Sequence, residues 1–197
     1  MKVLRHFVSW AAGRDAPITT LRAVESDRVL AHAAGRHHVA EVGVFEGVTA
    51  ARLRRVMAPD GVLYAVDPYP AGRLGFNMHR VIARREVGRV ANGRVRWVRA
   101  EGARAAARLD AEGVRLDFVF LDALKDYDGF GGLWEAWSPL VVAGGLLAVN
   151  DSRPTATRAI DSVGSVRYTA AVILRDARFE VADTVESLTI LRRRPVV

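Results

Sequence analysis

The stretch that most constrains the fold is 116–126, where an apolar run ends abruptly in charged residues. A nearly continuous apolar run closed by Asp122 is typical of an inner strand of a parallel sheet. In open α/β sheets, ligands bind at the carboxyl ends of such strands. A second apolar run, 145–149, ends in Asn150-Asp151. We therefore expect two neighbouring strand ends to bring oxygen donors together with the amine of Lys125.

The remaining pattern predicts alternating strands and helices. The chain has 197 residues, about half of them hydrophobic, which suits one α/β domain with a full core. An antiparallel edge is expected from the C-terminal hairpin. Strands are predicted at 39–44, 62–66, 95–99, 116–121 and 145–149, with a closing hairpin of 179–183 and 187–191. Helices are predicted at 20–34, 50–57 and 77–90, and 155–176 is predicted to be mostly helical with Gly164 as a weak point. Residues 1–38 form a predicted N-terminal helical cap on a main domain of 39–197.

Charge and composition bear on where the protein is expected to reside and on which partners it is expected to bind. No apolar run approaches the roughly 20 residues that span a bilayer, and we expect a cytoplasmic protein without a membrane contact. The absence of cysteine excludes disulfides and thiolate metal sites. Residues 1–100 carry 17 Lys/Arg against 8 Asp/Glu, a balance that also suits an anionic partner such as nucleic acid. Because arginine outnumbers lysine 27 to 2, a general bias toward arginine is the simpler explanation.

That bias makes Lys125 informative. An arginine guanidinium cannot lose its proton in a protein, whereas a lysine amine can be tuned to a pKa of roughly 7–8 and act as a base. Lys125 lies three residues after Asp122, in a chain that uses arginine almost everywhere else. We therefore predict that Lys125 is a general base.

A second constellation indicates a nucleoside cofactor. Gly43 and Gly47 lie across a predicted strand-to-helix turn, with the spacing Gly-x-x-x-Gly rather than the Gly-x-Gly-x-x-Gly of dinucleotide enzymes. Asp67 closes the next predicted strand, 24 residues after Gly43, where a carboxylate can accept both hydrogen bonds of a ribose diol. Glycine turn and carboxylate together predict a ribose-bearing cofactor without phosphates.

Over residues 39–191 the chain resembles the class I S-adenosylmethionine-dependent methyltransferases. The stretch 41–47 is similar to their first motif, Asp67 to the ribose-binding acid, and 101–103 to the adenine-side segment. The resemblance implies a Rossmann-like three-layer sandwich whose mostly parallel seven-stranded sheet has an antiparallel C-terminal strand. It also implies that S-adenosylmethionine is bound by Glu41, Gly43, Phe45, Gly47, Thr49, Asp67, Glu101, Gly102, Ala103 and Asp122.

Within that superfamily, the stretch 121–126 with Asn150-Asp151 resembles the catechol O-methyltransferase type of small metal-dependent O-methyltransferases. The resemblance implies a divalent metal, with Mg²⁺ expected, held by Asp122, Asn150 and Asp151, and proton removal from a substrate hydroxyl by Lys125. Two positions depart from that pattern: the pair runs Asn then Asp, and Ala123-Leu124 stands where the catechol enzymes have His-Trp.

The resulting hypothesis is an O-methyltransferase acting on a hydroxylated small molecule, such as a catechol-like compound, a sugar or a natural-product intermediate. Two alternatives stay open: an RNA methyltransferase that uses the basic first half, and a non-catalytic cofactor-binding scaffold. A homodimer is plausible for this group. The sequence carries no pattern that identifies the substrate.

Overall fold

A computed structural model describes residues 2–72 and 75–195. Its centre is a seven-stranded sheet in the order β3-β2-β1-β4-β5-β7-β6. Strands β1 to β5 are parallel, and β7 runs antiparallel to both β5 and β6. The strands are β1 (His38–Val42), β2 (Val62–Val66), β3 (Arg94–Val98), β4 (Leu116–Leu121), β5 (Val141–Val149), β6 (Phe179–Val185) and β7 (Leu188–Arg193).

Helices cover both faces of this sheet. They are α1 (Lys2–Ala11), α2 (Ala23–Ala33), α3 (Val48–Val56), α4 (Met78–Gly88), α5 (Gly102–Ala111), α6 (Tyr127–Trp137) and α7 (Gly164–Ala171). Single 3₁₀ turns lie at Ser138–Leu140 and Ile173–Arg175. None of the helices in the described residues is both long enough and apolar enough to cross a membrane.

Side chains of each strand alternate between two apolar layers. In β4, Phe118 and Phe120 belong to the core beneath α2, α3 and α4, whereas Val119 and Leu121 belong to the core beneath α5, α6 and α7. This alternation follows from the two-residue period of a strand, and it explains why a strand buried on both faces reads as a continuous apolar run. The predicted three-layer sandwich with a mostly parallel sheet is confirmed.

The strand order reverses next to β1. From β1 the chain moves outward to β2 and β3, then returns so that β4 pairs with the opposite edge of β1. Helices on the two faces diverge at such a reversal and leave a crevice at the carboxyl ends of the central strands. The chain segments that follow β1, β2, β4 and β5 all open into this region.

Several predicted bounds differ from the structure: α2 begins at Ala23 rather than at 20, and β5 begins at Val141 rather than at 145. The first strand ends at Val42 rather than at 44, because Gly43 already turns the chain with a φ of 98°. The segment 155–176 contains only the short helix α7 and one 3₁₀ turn, and most of 153–163 is irregular. Gly164 is the first residue of α7 and not a weak point within a longer helix. A Cβ there would lie 2.1 Å from the backbone nitrogen of Tyr127, so the position requires glycine.

Candidate active site

Two adjoining clefts occupy the crevice at the carboxyl ends of the central strands. The larger cleft, of about 260 Å³, is lined by Asp67, Glu101, Gly102 and Leu124 among others. The smaller cleft lies between residues 18–20 on one side and residues from the end of β1 and the start of α3 on the other. The two clefts share Gly43, Phe45 and Asp122. The smaller cleft, of about 20 Å³, is a narrow extension of the larger one.

Both glycines of the turn after β1 are required by protein packing. A Cβ on Gly43 would lie 2.1 Å from the backbone oxygen of Asp122, and one on Gly47 would lie 2.8 Å from Cα of Ala83 in α4. Both residues also have positive φ angles, 98° and 77°. Gly43 lines both clefts, whereas Gly47 is the N-cap residue of α3. Glycine is therefore needed at both positions because Asp122, after β4, and Ala83, in α4, lie so close to the turn.

Asp67 is fixed by backbone donors. Its Oδ2 accepts from the amide of Phe45 at 3.0 Å, and its Oδ1 accepts from the amide of Tyr69 at 3.0 Å. The hydroxyl of Tyr69 donates to the carbonyl of Phe45 at 2.8 Å, which closes a ring between the two turns. Burial, followed by the charge of Asp67, raises the pKa of Tyr69, so this hydroxyl remains a donor across the ordinary pH range. The carboxylate is thus held at the wall of the larger cleft.

The segment after β3 is only partly brought to the crevice. Glu101 and Gly102 line the larger cleft, while Ala103 lies on the exposed face of α5. The carbonyl of Gly102 accepts from Trp137 Nε1 at 3.1 Å, and a Cβ on Gly102 would lie 2.2 Å from Leu133 Cδ2. The start of α5 is therefore packed tightly on α6, and Ala100 at the preceding position completes this wall.

Glu41 and Thr49 lie at the smaller cleft. Glu41 is almost completely buried, and its Oε2 has no hydrogen-bond partner within the described residues. Burial raises the pKa of this carboxyl well above its usual range, with further contributions from the charges of Asp122 and Asp67. Thr49 belongs to the first turn of α3. A cationic group of a ligand at this end of the crevice would stabilise the ionised form of Glu41.

The predicted polar cluster is assembled at the ends of β4 and β5. Lys125 Nζ lies 2.9 Å from Asp122 Oδ1 and 3.2 Å from Asp151 Oδ2. The side-chain Nδ2 of Asn150 donates to Asp122 Oδ1 at 2.8 Å. The two strand ends therefore converge as the sequence predicted, with the lysine amine between two carboxylates.

Arg158 is a member of this cluster that the sequence did not predict. Its Nη1 contacts Asp151 Oδ1 and lies 3.3 Å from Ser187 Oγ. Ser187 is held by the buried Glu25 of α2, which accepts from its hydroxyl at 2.6 Å and its amide at 3.0 Å. Arg158 stands in the segment predicted to be helical, among many arginines, so no sequence signal separated it from the background. Each of the two site carboxylates thus has a cationic partner.

The residues present fit a hard divalent cation by donor type. Asp122 and Asp151 supply carboxylate oxygens, and the buried Asn150 Oδ1 has no hydrogen-bond partner among the described residues. Oxygen donors of this kind suit Mg²⁺. No group of three or more His, Cys, Asp or Glu side chains arranged for a metal occurs within residues 2–72 and 75–195. Any such ion would have to compete with Lys125 and Arg158 for the same carboxylates.

Backbone strain is concentrated at the crevice. Four non-glycine residues there have positive φ angles: Phe45 at 51°, Tyr69 at 39°, Leu124 at 45° and Asp151 at 50°. Such conformations cost of the order of 1–3 kcal/mol each and persist where the surrounding structure enforces them, often at functional sites. Here each one follows the carboxyl end of β1, β2, β4 or β5, which supports this edge of the sheet as the place of function.

Comparisons with known proteins agree with this geometry. A family model described as a methyltransferase domain matches residues 40–152, more than half of the chain. The match begins in β1 and extends past the end of β5, so it includes Asp67, Asp122, Lys125 and Asp151. No curated protein sequence matches the chain.

Solved structures of low sequence identity share the fold. The O-methyltransferase from Bacillus cereus in complex with SAH is 18% identical, with a TM-score of 0.68 over 98% of this chain and 91% of that chain. Cofactor-bound Rv0187 from MTB is 18% identical, with a TM-score of 0.71 over 98% and 90% of the two chains. A putative O-methyltransferase from Klebsiella pneumoniae is also 18% identical, with a TM-score of 0.65 over 98% and 89%. Through its matched domain and its sheet topology, the chain belongs to the methyltransferase-domain family and has the class I methyltransferase fold that its sequence resembles.

Proposed function

We propose that this methyltransferase transfers a methyl group from S-adenosylmethionine to a hydroxyl group of a small molecule. The observation that carries the proposal is the position of Lys125 Nζ, 2.9 Å from Asp122 Oδ1 and 3.2 Å from Asp151 Oδ2, beside a crevice that also contains Asp67. Solved proteins of the same fold are named O-methyltransferases, and one of them holds SAH.

The two ends of S-adenosylmethionine are assigned to the two clefts, and the smaller cleft, of about 20 Å³, would have to widen to admit the methionine end. We assign the ribose diol of the cofactor to the carboxylate of Asp67 and its adenine to the wall formed by Glu101 and Gly102 in the larger cleft. Its methionine end is assigned to the smaller cleft, beside Glu41 and Thr49. Gly43, Phe45 and Asp122, which line both clefts, then flank the sulfonium between these two ends.

Lys125 is the proposed base. In the transfer step, a lone pair of the substrate oxygen attacks the methyl carbon, the bond from that carbon to sulfur breaks, and S-adenosylhomocysteine leaves. The hydroxyl proton passes to the amine of Lys125, which has to be unprotonated to accept it. Holding the oxygen in line with the sulfonium converts a bimolecular encounter into an oriented reaction and supplies several kcal/mol of the barrier reduction. The base contributes on the order of 10²–10⁴-fold in rate.

A divalent metal, with Mg²⁺ preferred, is the second part of the proposal. Asp122, Asp151 and Asn150 Oδ1, an oxygen without a partner among the described residues, would hold it. When bound, such an ion lowers the pKa of a coordinated substrate hydroxyl. The chain's own contribution is the placement of three oxygen donors and one amine at two adjacent strand ends.

Structural roles of the arginines favour a small substrate over RNA. Arg84 stacks over Trp97 at 5.5 Å, and Arg85 over Trp10 at 5.3 Å. Arg54 donates to the backbone carbonyls of Val87 in α4 and of Asn92 and Gly93 before β3. Arg99 donates to the carbonyl of Tyr69 at 2.8 Å. These side chains hold helices and loops together, so the positive charge of the first half does not by itself indicate a phosphate-binding surface.

The test is a methyl-transfer assay with S-adenosylmethionine labelled in its methyl group and added Mg²⁺. The acceptor panel contains catechols, other phenols, sugars with vicinal diols, and a structured RNA. The proposal predicts label in at least one small hydroxylated acceptor and none in RNA. Label only in RNA, with binding that weakens steeply as salt rises, would instead establish the RNA methyltransferase alternative.

A further inference from the structure

Glu46 is a fully buried carboxylate that the proposed chemistry does not use. It lies between Phe45 and Gly47 in the turn after β1, and its side chain has no exposed surface. Burying a carboxylate is costly unless donors surround it. All three of its donors come from other parts of the chain: His6 Nε2 at 3.1 Å, the amide of Ile18 at 2.6 Å and His79 Nδ1 at 2.9 Å.

These donors connect the turn to the N-terminal segment, defined here as residues 2–20. His6 belongs to α1, and Ile18 belongs to the loop that forms one wall of the smaller cleft. His79 belongs to α4, and α1 packs on this helix through Trp10, which lies beneath Arg85. The ring of Phe7 in α1 lies 6.1 Å from that of Phe76, two residues before α4. The N-terminal segment and α4 therefore meet the turn at one carboxylate.

Both oxygens of Glu46 are occupied within the protein. His79 is bonded to Oε1, while His6 and Ile18 share Oε2. Because its side chain is also fully buried, Glu46 does not contact a ligand directly. It acts on the site through the backbone of Ile18, from whose amide it accepts a hydrogen bond. Because Ile18, Thr19 and Thr20 line the smaller cleft opposite Glu41 and Thr49, the position of this loop sets the width of that cleft.

We propose that Glu46 is a positioning residue that holds the N-terminal segment over the methionine end of the cofactor site, so that retention of the cofactor depends on docking of residues 2–20. The inference rests on the proposed assignment of S-adenosylmethionine to the two clefts. It gives the predicted N-terminal cap a specific attachment point, and it makes the turn that bears Phe45 sensitive to a segment about 30 residues earlier in the chain.

The experiment compares Glu46→Gln, His6→Phe and the control Glu180→Gln. Glu46→Gln replaces one of the two acceptor oxygens with an NH₂ group, which then faces either His79 or the pair of His6 and Ile18. His6→Phe removes one donor while leaving the buried carboxylate in place. Glu180 lies on the exposed edge strand β6, where it pairs with Arg192 and Arg194, so its change controls for the loss of one charge. Circular dichroism establishes that each variant is folded.

Two quantities are measured: the Kd for S-adenosylhomocysteine by calorimetry, and deuterium uptake of residues 2–20 with and without that ligand. The wild type and Glu180→Gln are expected to bind and to protect residues 2–20 on binding. His6→Phe is expected to weaken binding about threefold. Glu46→Gln is expected to weaken it about tenfold and to lose the ligand-dependent protection.

The outcomes separate this inference from the proposed function. Wild-type affinity and protection in folded Glu46→Gln would overturn the inference alone, as would weaker binding with full protection of residues 2–20. Failure of the wild type to bind S-adenosylhomocysteine would overturn the proposed function and, with it, the cofactor role of Glu46. If Glu46→Gln does not fold, His6→Phe decides the question by the same two measurements.

Discussion

Lys125 Nζ lies 2.9 Å from Asp122 Oδ1, so the only lysine beyond the N-terminus contacts the first residue after β4. The same amine is 3.2 Å from Asp151 Oδ2 at the end of β5. The amine therefore lies where the ends of β4 and β5 converge, which is where the proposed transfer needs a group that receives the proton of the substrate hydroxyl. The proposed chemistry depends on this relationship.

Replacing Lys125 by methionine is expected to lower turnover by about a hundredfold or more, because the substrate hydroxyl loses its proton acceptor. Binding of S-adenosylmethionine is expected to stay within about threefold of wild type, since Asp67 and Glu41 remain. Steady-state kinetics and calorimetry measure the two effects. Lys2→Met is the matched control, as it removes the other lysine from exposed α1. Near-normal turnover of Lys125→Met would remove the base assignment.

Tyr69→Phe is expected to weaken cofactor binding by about fivefold, which corresponds to the loss of one hydrogen bond worth about 1 kcal/mol. The lost bond is the one from the Tyr69 hydroxyl to the carbonyl of Phe45, whose φ of 51° needs support from its surroundings. Calorimetric titration with S-adenosylhomocysteine measures the change. An unchanged Kd would show that the ring between the two turns contributes nothing to the cofactor site.

Arg158→Met is expected to tighten Mg²⁺ binding by about tenfold, because Asp151 loses the guanidinium that competes for its carboxylate. Titration with Mg²⁺ alone measures the affinity. Arg153→Met removes an exposed arginine from the same segment and serves as the control. Weaker Mg²⁺ binding in Arg158→Met than in the control would mean that Arg158 supports the metal site rather than competing for it.

The stability of the cofactor-free protein is expected to fall as the pH rises above the ordinary carboxyl range. Burial raises the pKa of Glu41 in the folded chain, so between the unfolded and folded pKa values the folded state retains a proton that the unfolded state releases. The contribution of protonated Glu41 to the free energy of unfolding is complete below the pKa of this carboxyl in the unfolded chain. It is lost as the pH rises toward the higher pKa of Glu41 in the folded chain. Glu41→Gln is expected to flatten this dependence.

Urea unfolding at pH 5 and pH 7 measures this effect on the free energy of unfolding. The wild type is expected to lose more stability than Glu41→Gln between the two values. An equal change in both proteins would indicate that Glu41 titrates normally in the folded state and that its Oε2 is solvated.

The central strands and the polar cluster were predictable from the sequence for a physical reason. A strand buried on both faces must be apolar throughout, so the charges that follow 116–121 mark where it leaves the core. Parallel strands end at the same edge, which places Asn150-Asp151 beside Asp122 without further information. Asp67 follows from the same reasoning for β2.

Arg158 and Glu46 were not predictable because their roles depend on loop geometry. Arg158 reaches Asp151 only because the chain after β5 stays irregular as far as Gly164, whose close contact with Tyr127 the sequence does not reveal. Glu46 looks like a solvated charge in a glycine-rich turn, and its three donors lie between 28 and 40 residues away along the chain. Side chains placed by such distant partners leave no local pattern.

The glycines illustrate a pattern that was recognised correctly and explained incompletely. The spacing of Gly43 and Gly47 predicted a strand-to-helix turn. The structure gives each a separate packing reason, since a Cβ would collide with Asp122 or with Ala83. Local spacing identified the turn, but only the packed fold reveals which neighbour excludes the side chain.

The most direct test of the account is calorimetric titration of the protein with S-adenosylmethionine, repeated on Asp67→Ala and on Asp60→Ala as an exposed control. The account predicts one site in the wild type and in Asp60→Ala, and affinity at least about a hundredfold weaker in Asp67→Ala, because two charge-assisted hydrogen bonds to the ribose are lost. Absence of binding to the wild type, or equal affinity in Asp67→Ala, would contradict it.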